Sequence, residues 1–527
     1  MQNENHQAEH LSRLDNYQEL NQRQFVMLLL SIMVVALCGI TYELIIGTTS
    51  TYLLGNSVYQ FSLTIGFFMF AMGIGSYLSK WVLKHLLENF VLVEIVVALI
   101  GGLCSLTLFL TYSALNALYN PIMYIFIILI GALVGLEIPL LTRILSQKEM
   151  IRKSIANVLS LDYVGALIGS VAFPLLLLPQ LGLIRATFVI GLINIFTAIL
   201  NIHYFKEHLA RPRLMRTLAY ATLLILVGFT VYGSWLTRYA EHHLYMDQVI
   251  SELQTPYQRI VFTQNNESQN YRMYIDGHIQ FSQRDEHRYH ESLVHPVMGL
   301  PGPRKQILIL GGGDGLAARE ILKYPEVELI HLVDIDPAMT RFSSEFPAMV
   351  TMNAGSLRNP KLTIFNADAF NFVNQIGIQY DRIIIDMPDP HSEVLSKLYS
   401  REFYVMIKKR LNPHGYLVTQ SSSPFFTRRT YWTIAHTLQA AGLNTASYHV
   451  DVPSFGVWGF HLAAMAAINT QQFKLDVPTR YLTSTTLAAA TVFANDMLPA
   501  TTLEVNTLLE PKLYTLYRED LLDIAVQ

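Results

Sequence analysis

Seven apolar runs follow one another through the first half of this chain, at approximately 25–47, 58–78, 90–112, 122–141, 155–178, 183–204 and 217–236. Each is long enough to cross the roughly 30 Å hydrocarbon core of a bilayer. A soluble core accommodates one such run. Seven in series with short polar joints predict a polytopic α-helical membrane domain over 25–237, and hence a multi-pass protein of the cell (inner) membrane. Composition agrees, since 51% of the 527 residues are hydrophobic and 15% charged, and the apolar excess lies before about residue 237. The polar segment 1–24 carries no small-residue cleavage site behind a short apolar region, so the first run is expected to be an uncleaved anchor. Cys38 and Cys104, the only cysteines, fall inside expected spans, and neither a disulfide framework nor a metal site is expected of them. The net charge of −3 argues neither for nor against nucleic acid.

Positive charge is lopsided among the joints. Arg13 and Arg23 precede the first run, Lys80 and Lys84 follow the second, Arg143, Lys148, Arg152 and Lys153 follow the fourth, and Lys206, Arg211, Arg213 and Arg216 follow the sixth. The alternate joints carry little beyond Arg185, which places the N-terminus and the even joints in the cytoplasm. Seven full spans then export whatever follows them, unless one apolar segment is re-entrant or interfacial; both topologies stay open.

Four acids, Glu43, Glu94, Glu137 and Asp162, lie within the expected spans, where an ionised carboxylate is costly and normally faces a partner or a water-filled cavity. No lysine or arginine lies deep in the same spans. They read either as a cation-binding cavity or path, or as protonated acids hydrogen-bonded between helices or placed near the interface. Glycines accompany them in GITYELIIG (39–47), GALVGLEIP (131–139) and LDYVGALIG (161–169), the last with a small-residue step that lets helices approach closely.

From about residue 238 the composition turns to that of a soluble domain. Period-two stretches RIVF, RMYI and HIQF, with Asp276-Gly277 between the last two, predict a linker and small antiparallel sheet over 238–285. Over 286–470, apolar strands alternate with helices. ILIL runs into a glycine turn at 311–315, LIHLVDID ends at Asp336, and TIFNADA, RIIIDMPDP and YLVTQSSS supply further strand ends, so a doubly wound, Rossmann-like α/β sheet is expected. A C-terminal extension, 471–527, shows helical stretches and no recognisable chemistry.

Ligands of such sheets bind beyond the carboxyl ends of the strands. There Asp314 follows the first strand, Asp334 ends the second, Asp368 follows the third, and Asp386 and Asp389 follow the fourth. Gly311, Gly312 and Gly313 open a turn that in most nucleotide binders receives an anion, yet Asp314 sits inside it and favours a cation. An acid about 20 residues past the turn suits a ribose diol. Taken singly, Asp314 also reads as a helix N-cap, and Asp386 and Asp389 as turn residues ahead of Pro388 and Pro390. Their convergence on one crevice is what a nucleoside site explains and the separate readings do not.

These residues resemble the aminopropyltransferases, the spermidine synthase family. GGGDG at 311–315, VDID at 333–336, NADA at 366–369, DMPDP at 386–390, YQ at 257–258 and QFSQRDEHRYHE at 280–291 match its motifs in order, across most of 250–465. With the apolar runs in front, the chain is similar to the membrane-integral bacterial branch. The resemblance implies transfer of an aminopropyl group from decarboxylated S-adenosylmethionine, a co-substrate, to putrescine, without a cofactor or a metal. It implies Asp334 on the ribose hydroxyls, Asp368 on the adenine amino group beside Ala369, and Asp314 on the aminopropyl ammonium. Gln258 would contact the nucleoside-sulfur end with Gln280 nearby, Tyr289 and His290 would line the junction of donor and acceptor, Asp386 would be the general base, and Asp389 would hold the diamine. Two positions depart from the family pattern: Asp334 replaces a glutamate, and Phe455, in DVPSFGVWGF, stands where a tyrosine is expected, which leaves the acceptor's identity open while Phe455 and Trp458 can still enclose a methylene chain. Gln420 is a further acceptor-site candidate or a surface amide. The partners expected are the two small substrates and the lipid bilayer, not nucleic acid, with a homo-oligomer suggested by soluble members of the family. The competing reading is a polyamine transporter or sensor whose α/β domain binds ligand without turnover.

Overall fold

The computed structural model describes residues 21–525 apart from 55–56, 147–150, 246 and 500–502, so most of the polar segment 1–24, with Arg13, and Lys148 lie outside the described residues. The chain divides into two compact units, Met1–Val249 and Ile250–Gln527.

The first unit is helical: α1 (Gln22–Leu54), α2 (Ser57–Leu78), α3 (Leu86–Ala114), α4 (Tyr119–Leu145), α5 (Ile151–Ala172), α6 (Leu178–Tyr204) and α7 (Pro212–Tyr245). Among the described residues six helical stretches are apolar and long enough to span a bilayer, and one of them, Arg152–Tyr204, holds both the fifth and the sixth of the seven runs expected from sequence. That 53-residue stretch is not one unbroken helix, since its backbone is non-helical at Gly182, between the two expected runs. Pro174 and Pro179 remove two backbone donors there, a π turn spans Phe173–Leu177, and Gly182 adopts φ 70°, ψ 179°. The leg α5 packs chiefly on α1, whereas α6 packs on α3, α7 and α1. The small-residue step of LDYVGALIG works as expected: a Cβ on Gly165 would lie 2.1 Å from the Met33 carbonyl oxygen of α1, an approach only glycine permits.

At the boundary with the second unit begins a four-stranded sheet, β1 (Gln248–Gln254), β2 (Arg259–Gln264), β3 (Tyr271–Ile275) and β4 (His278–Ser282), in sequential order and antiparallel from β2 to β4. The predicted Asp276-Gly277 turn joins β3 to β4, with φ of 48° and 83° at its two residues, as a twist-matched two-residue hairpin requires. Strand β1 lies upstream of the stretches read from sequence. Helix α8 (Glu286–Met298) then leads into a seven-stranded sheet of β5 (Gln306–Gly311), β6 (Leu329–Asp334), β7 (Leu362–Asn366), β8 (Tyr380–Asp386), β9 (Leu411–Gln420), β10 (Asn444–Val452) and β11 (Gly456–Ala464).

The sheet order is β10-β11-β9-β8-β5-β6-β7, parallel from β7 through β9 and antiparallel at β11 and β10. Strand β5 shows why the predicted fold forms: Ile307 and Ile309 enter the core on one face, Leu308 and Leu310 the core on the other, and all four are fully buried. Order reverses at β5, whose neighbours are β6 and β8, so a crevice opens beyond its carboxyl end. Connecting helices are α9 (Leu316–Ile321), α10 (Pro337–Glu345), α11 (Pro347–Met352), α12 (Ala369–Gln375), α13 (Glu393–Ser396), α14 (Arg401–Arg410) and α15 (Arg428–Ala440); the extension adds α16 (Ser484–Ala490) and α17 (Lys512–Ala525). One boundary is corrected: β6 ends at Asp334, not Asp336, because the Asp336 carboxylate caps α10 by accepting from the Ala338 N–H at 2.9 Å, with Pro337 at the first helical position.

Candidate active site

Three of the five turn residues have left-handed backbone: Gly311 at φ 83°, Gly312 at 65° and Gly315 at 80°. A Cβ at Gly311 would stand 2.0 Å from the Asp386 carbonyl oxygen, and one at Gly313 would stand 2.4 Å from Asp334 Oδ2. Glycine here therefore lets β5 and β8 close at their ends, where Gly311 pairs with Asp386, and lets the turn lie against the Asp334 carboxylate.

Three of the expected acids, Asp314, Asp334 and Asp386, meet at this turn. Asp334 Oδ2 accepts from the Gly313 N–H at 3.0 Å, and its Oδ1 accepts from the Asp336 N–H at 2.9 Å. Burial pushes its carboxyl up to about 6, the neighbouring Asp336 and Asp314 charges adding to the rise that these two N–H groups oppose. Gln258 reaches the same corner, donating to Asp336 Oδ2 at 3.0 Å, beside Thr255 Oγ1 at 2.9 Å. Gln280 turns its amide to the His278 carbonyl at 3.3 Å instead. Asp368 caps α12 through the Asn371 N–H at 3.0 Å and receives Lys397 Nζ at 2.8 Å. Burial opposes its ionisation, but Lys397 and the backbone donors hold its carboxyl below the ordinary value. Ala369, next along, is buried.

Asp314 is not the N-cap; Gly315 occupies that position. Asp314 Oδ1 accepts from the Leu316 N–H at 2.8 Å, and its Oδ2 lies 4.0 Å from His290 Nε2. His290, in turn, shares its Nδ1 between the Glu286 carbonyl at 2.8 Å and Glu286 Oε2 at 3.0 Å. Burial favours the neutral ring, yet the Glu286 hydrogen bond and the charges of Asp314, Glu286 and Asp386 outweigh it and raise His290 to about 9. Glu286 is brought down to about 2 against its own burial, by His290 and by Arg319, which grips both its oxygens at 2.9 and 3.0 Å. A buried imidazolium thus stands among the carboxylates of the free site.

Asp386 ends β8, and its Oδ1 accepts from the Tyr289 hydroxyl at 2.7 Å. Burial pushes its carboxyl up to about 6, the Asp314 charge adding to the rise while His290 and Tyr289 restrain it. Asp389 lies beyond, taking Gln420 Nε2 on Oδ1 at 3.3 Å and, on Oδ2, the Ser422 hydroxyl at 3.3 Å and the Tyr517 hydroxyl at 3.1 Å. Burial raises it to about 6 despite these three donors. Gln420 is buried, which excludes the surface-amide reading, and its two amide hydrogens are shared among Asp389, the Met387 carbonyl at 2.5 Å and the Tyr399 hydroxyl at 2.6 Å. The Phe455 ring stands edge-on to Tyr289 at 6.0 Å and 5.1 Å from Trp458, so aromatic faces flank the space by Tyr289.

Sequence reasoning missed Glu286, Arg319, Lys397, Tyr399, Ser422 and Tyr517. Glu286 and His290 were findable as an i, i+4 pair within RDEHRYHE once α8 was recognised; the others come from distant elements and leave no local signal. Glu43, Glu94, Glu137 and Asp162 belong to the helical unit.

A sequence profile described as the spermine/spermidine synthase domain matches residues 286–474. A crystal structure of spermidine synthase in complex with the transition-state analogue AdoDATO is similar over 47% of this chain and 86% of its own, at 25% identity and a TM-score of 0.44. A polyamine aminopropyltransferase of Leptospira interrogans is 43% identical over 443 residues, 84% of this chain and 88% of the relative. Polyamine aminopropyltransferase 2 of Ralstonia nicotianae is 41% identical over 502 residues, 94% of this chain and 98% of the relative, a span that takes in the helical unit as well as the site. By this identity over nearly the whole of both chains, the chain belongs to the polyamine aminopropyltransferase family.

Proposed function

We propose that this enzyme transfers the aminopropyl group of decarboxylated S-adenosylmethionine to putrescine, giving spermidine and 5′-methylthioadenosine, with Asp386 as the base. The observation that carries the assignment is the acidic lining of one crevice by Asp314, Asp334, Asp386 and Asp389, since the donor brings a sulfonium and an ammonium without a carboxylate, and the acceptor is a dication. Asp334 keeps free lone pairs for the ribose hydroxyls, and Asp368 has lone pairs left for the adenine amino group beside Ala369. Gln258 lies toward the nucleoside-sulfur end, and Asp314 takes the aminopropyl ammonium. A carboxylate at that place also disfavours ordinary S-adenosylmethionine by repulsion.

The attacking ammonium must first lose a proton. A carboxylate raised to about 6 still ionises at neutral pH and is a better base than one at 3.8. Tyr289, donating to Asp386, fixes the oxygen that faces the amine. The amine lone pair then forms the C–N bond at the propyl carbon beside sulfur, the C–S bond breaks, and its electron pair stays on sulfur, which leaves as a neutral thioether. Asp389 holds the distal ammonium, with Gln420 orienting that carboxylate. Asp386→Asn should abolish turnover, by at least about 100-fold, while calorimetry still detects donor binding; turnover within a few fold of the native enzyme would remove Asp386 from the mechanism.

The helical unit is proposed to cross a membrane as a multi-pass domain, on the strength of the six apolar helical stretches among its described residues. A cation path within it gains support from Glu137, which is 2% exposed with neither carboxylate oxygen hydrogen-bonded among the described residues. Glu94 instead receives Asn201 Nδ2 at 3.1 and 3.2 Å. Polyamine flux in proteoliposomes should fall for Glu43→Gln and Glu137→Gln with aminopropyl transfer retained; unaltered flux would end this reading.

A further inference from the structure

We infer that Tyr517, on the C-terminal helix α17, positions the acceptor amine through Asp389. The inference rests on the reading of Asp389 as the diamine anchor. It concerns a part of the chain that lies beyond the matched synthase domain, 286–474.

The three donors on Asp389 differ in reach. Gln420 and Ser422 stand at 3.3 Å, while the Tyr517 hydroxyl stands at 3.1 Å on Oδ2, the shortest of the set. The segment between β10 and β11 carries Phe455, beside Tyr289, and β11 carries Trp458, neither of which has a hydroxyl. All three donors to Asp389 are neutral. That matters chemically, because an arginine or lysine in place of Tyr517 would neutralise the carboxylate and compete with the incoming ammonium, whereas a hydroxyl fixes its orientation and leaves its charge for the substrate.

Helix α17 is held so that this hydroxyl stays in place. Arg429 of α15 pairs with Asp520 at 2.6 Å, Glu519 at 3.2 Å and Asp523 at 3.3 Å. The Thr430 N–H and hydroxyl both donate to Asp520 Oδ2 at 3.1 Å, and Leu513 is fully buried in the core under β8 and β9. Upstream, fully buried Asn506 donates to the Ser396 carbonyl at 2.8 Å and accepts from the Leu513 N–H at 3.3 Å. The extension is therefore a latched wall of the acceptor site, and the class of acceptor it suits is an α,ω-diamine whose far ammonium sits at Asp389.

The test is steady-state kinetics on the full-length enzyme in detergent, with donor and putrescine varied separately. Tyr517→Phe should raise the putrescine KM roughly tenfold, the order expected for a hydrogen bond to a charged group, with kcat within about twofold and the donor KM unchanged. Asp520→Asn, which loosens the latch without touching the site, should move the same constant in the same direction and gives the answer if the first variant does not fold. In an Asp389→Asn background, Tyr517→Phe should add nothing. An Asp389→Asn enzyme with raised putrescine KM beside a Tyr517→Phe enzyme with a native one would overturn the inference and keep Asp389 as the anchor. An unchanged putrescine KM in Asp389→Asn would overturn the underlying reading and the inference with it. Equal changes in donor and acceptor KM for Tyr517→Phe would assign it a structural role only, and overturn the inference as well.

Discussion

At the scale of single residues the site is a balance of like charges with one buried counterweight. Asp314, Asp334, Asp386 and Asp389 gather at the strand ends, and His290 with Asp314 and Glu286 on either side supplies the opposing charge. His290 lowers the Asp386 carboxyl and Asp314 raises it. The proposed role of Asp386 as base requires its ionised form, so kcat/KM should fall as pH drops through about 6. Replacing His290 by glutamine removes the lowering influence, and the acid limb of the pH profile should move to higher pH. A limb left in place in His290→Gln would show that the imidazolium does not act on Asp386. Asp334 in place of the longer glutamate of the family pattern still reaches the turn, because Gly313 brings its N–H within 3.0 Å of the shorter carboxylate.

At the scale of elements, what places these residues is the close approach of β5 to β8 and the reversal of strand order between β6 and β8. Gly311 is the tightest point of that approach. Alanine there would combine a left-handed φ of 83° with a Cβ 2.0 Å from the Asp386 carbonyl oxygen. Since backbone cannot yield as a flexible side chain does, the Gly311→Ala enzyme should lose at least about 3 kcal/mol of stability, from strain and overlap together. It should lose donor affinity as well; a melting temperature and donor binding equal to the native enzyme's would show that β5 and β8 can part without cost. The hairpin turn at Asp276-Gly277 is an element of another kind, whose conformation follows from local chemistry and was readable as such, whereas the Asp336 cap was expected as a strand end.

For the whole molecule, the raised carboxyls link pH, ligand and stability. Asp334, Asp386 and Asp389 rise from 3.8 to about 6 on folding. Raised acids favour the fold while protonated, so their contribution is full below about 4 and is lost as pH rises through about 6. Between pH 5 and 7.5 these acids accordingly gain negative charge beyond what His290 balances, and the proposed cationic substrates would offset it. Putrescine together with the donor should therefore raise the melting temperature more at pH 7.5 than at pH 5, as read by scanning calorimetry of the full chain. An equal rise at both values would mean that the acids are not what the ligands neutralise.

The sequence by itself determined the two-part organisation, the parallel core of the sheet, the acids at its strand ends and the family resemblance, because each is written in local pattern: long apolar runs, period-two strands, a glycine turn and carboxylates at fixed offsets. Tertiary structure alone decided which groups surround those acids. Lys397 meets Asp368 across 29 positions, Arg319 meets Glu286 across 33 and Tyr517 meets Asp389 across 128. No periodicity encodes such pairs, since they arise where helices from different parts of the chain pack on one sheet. The joint between the fifth and sixth apolar runs is of the local kind: two prolines and a glycine mark it in sequence, and the backbone leaves the helix at Gly182, between the two runs.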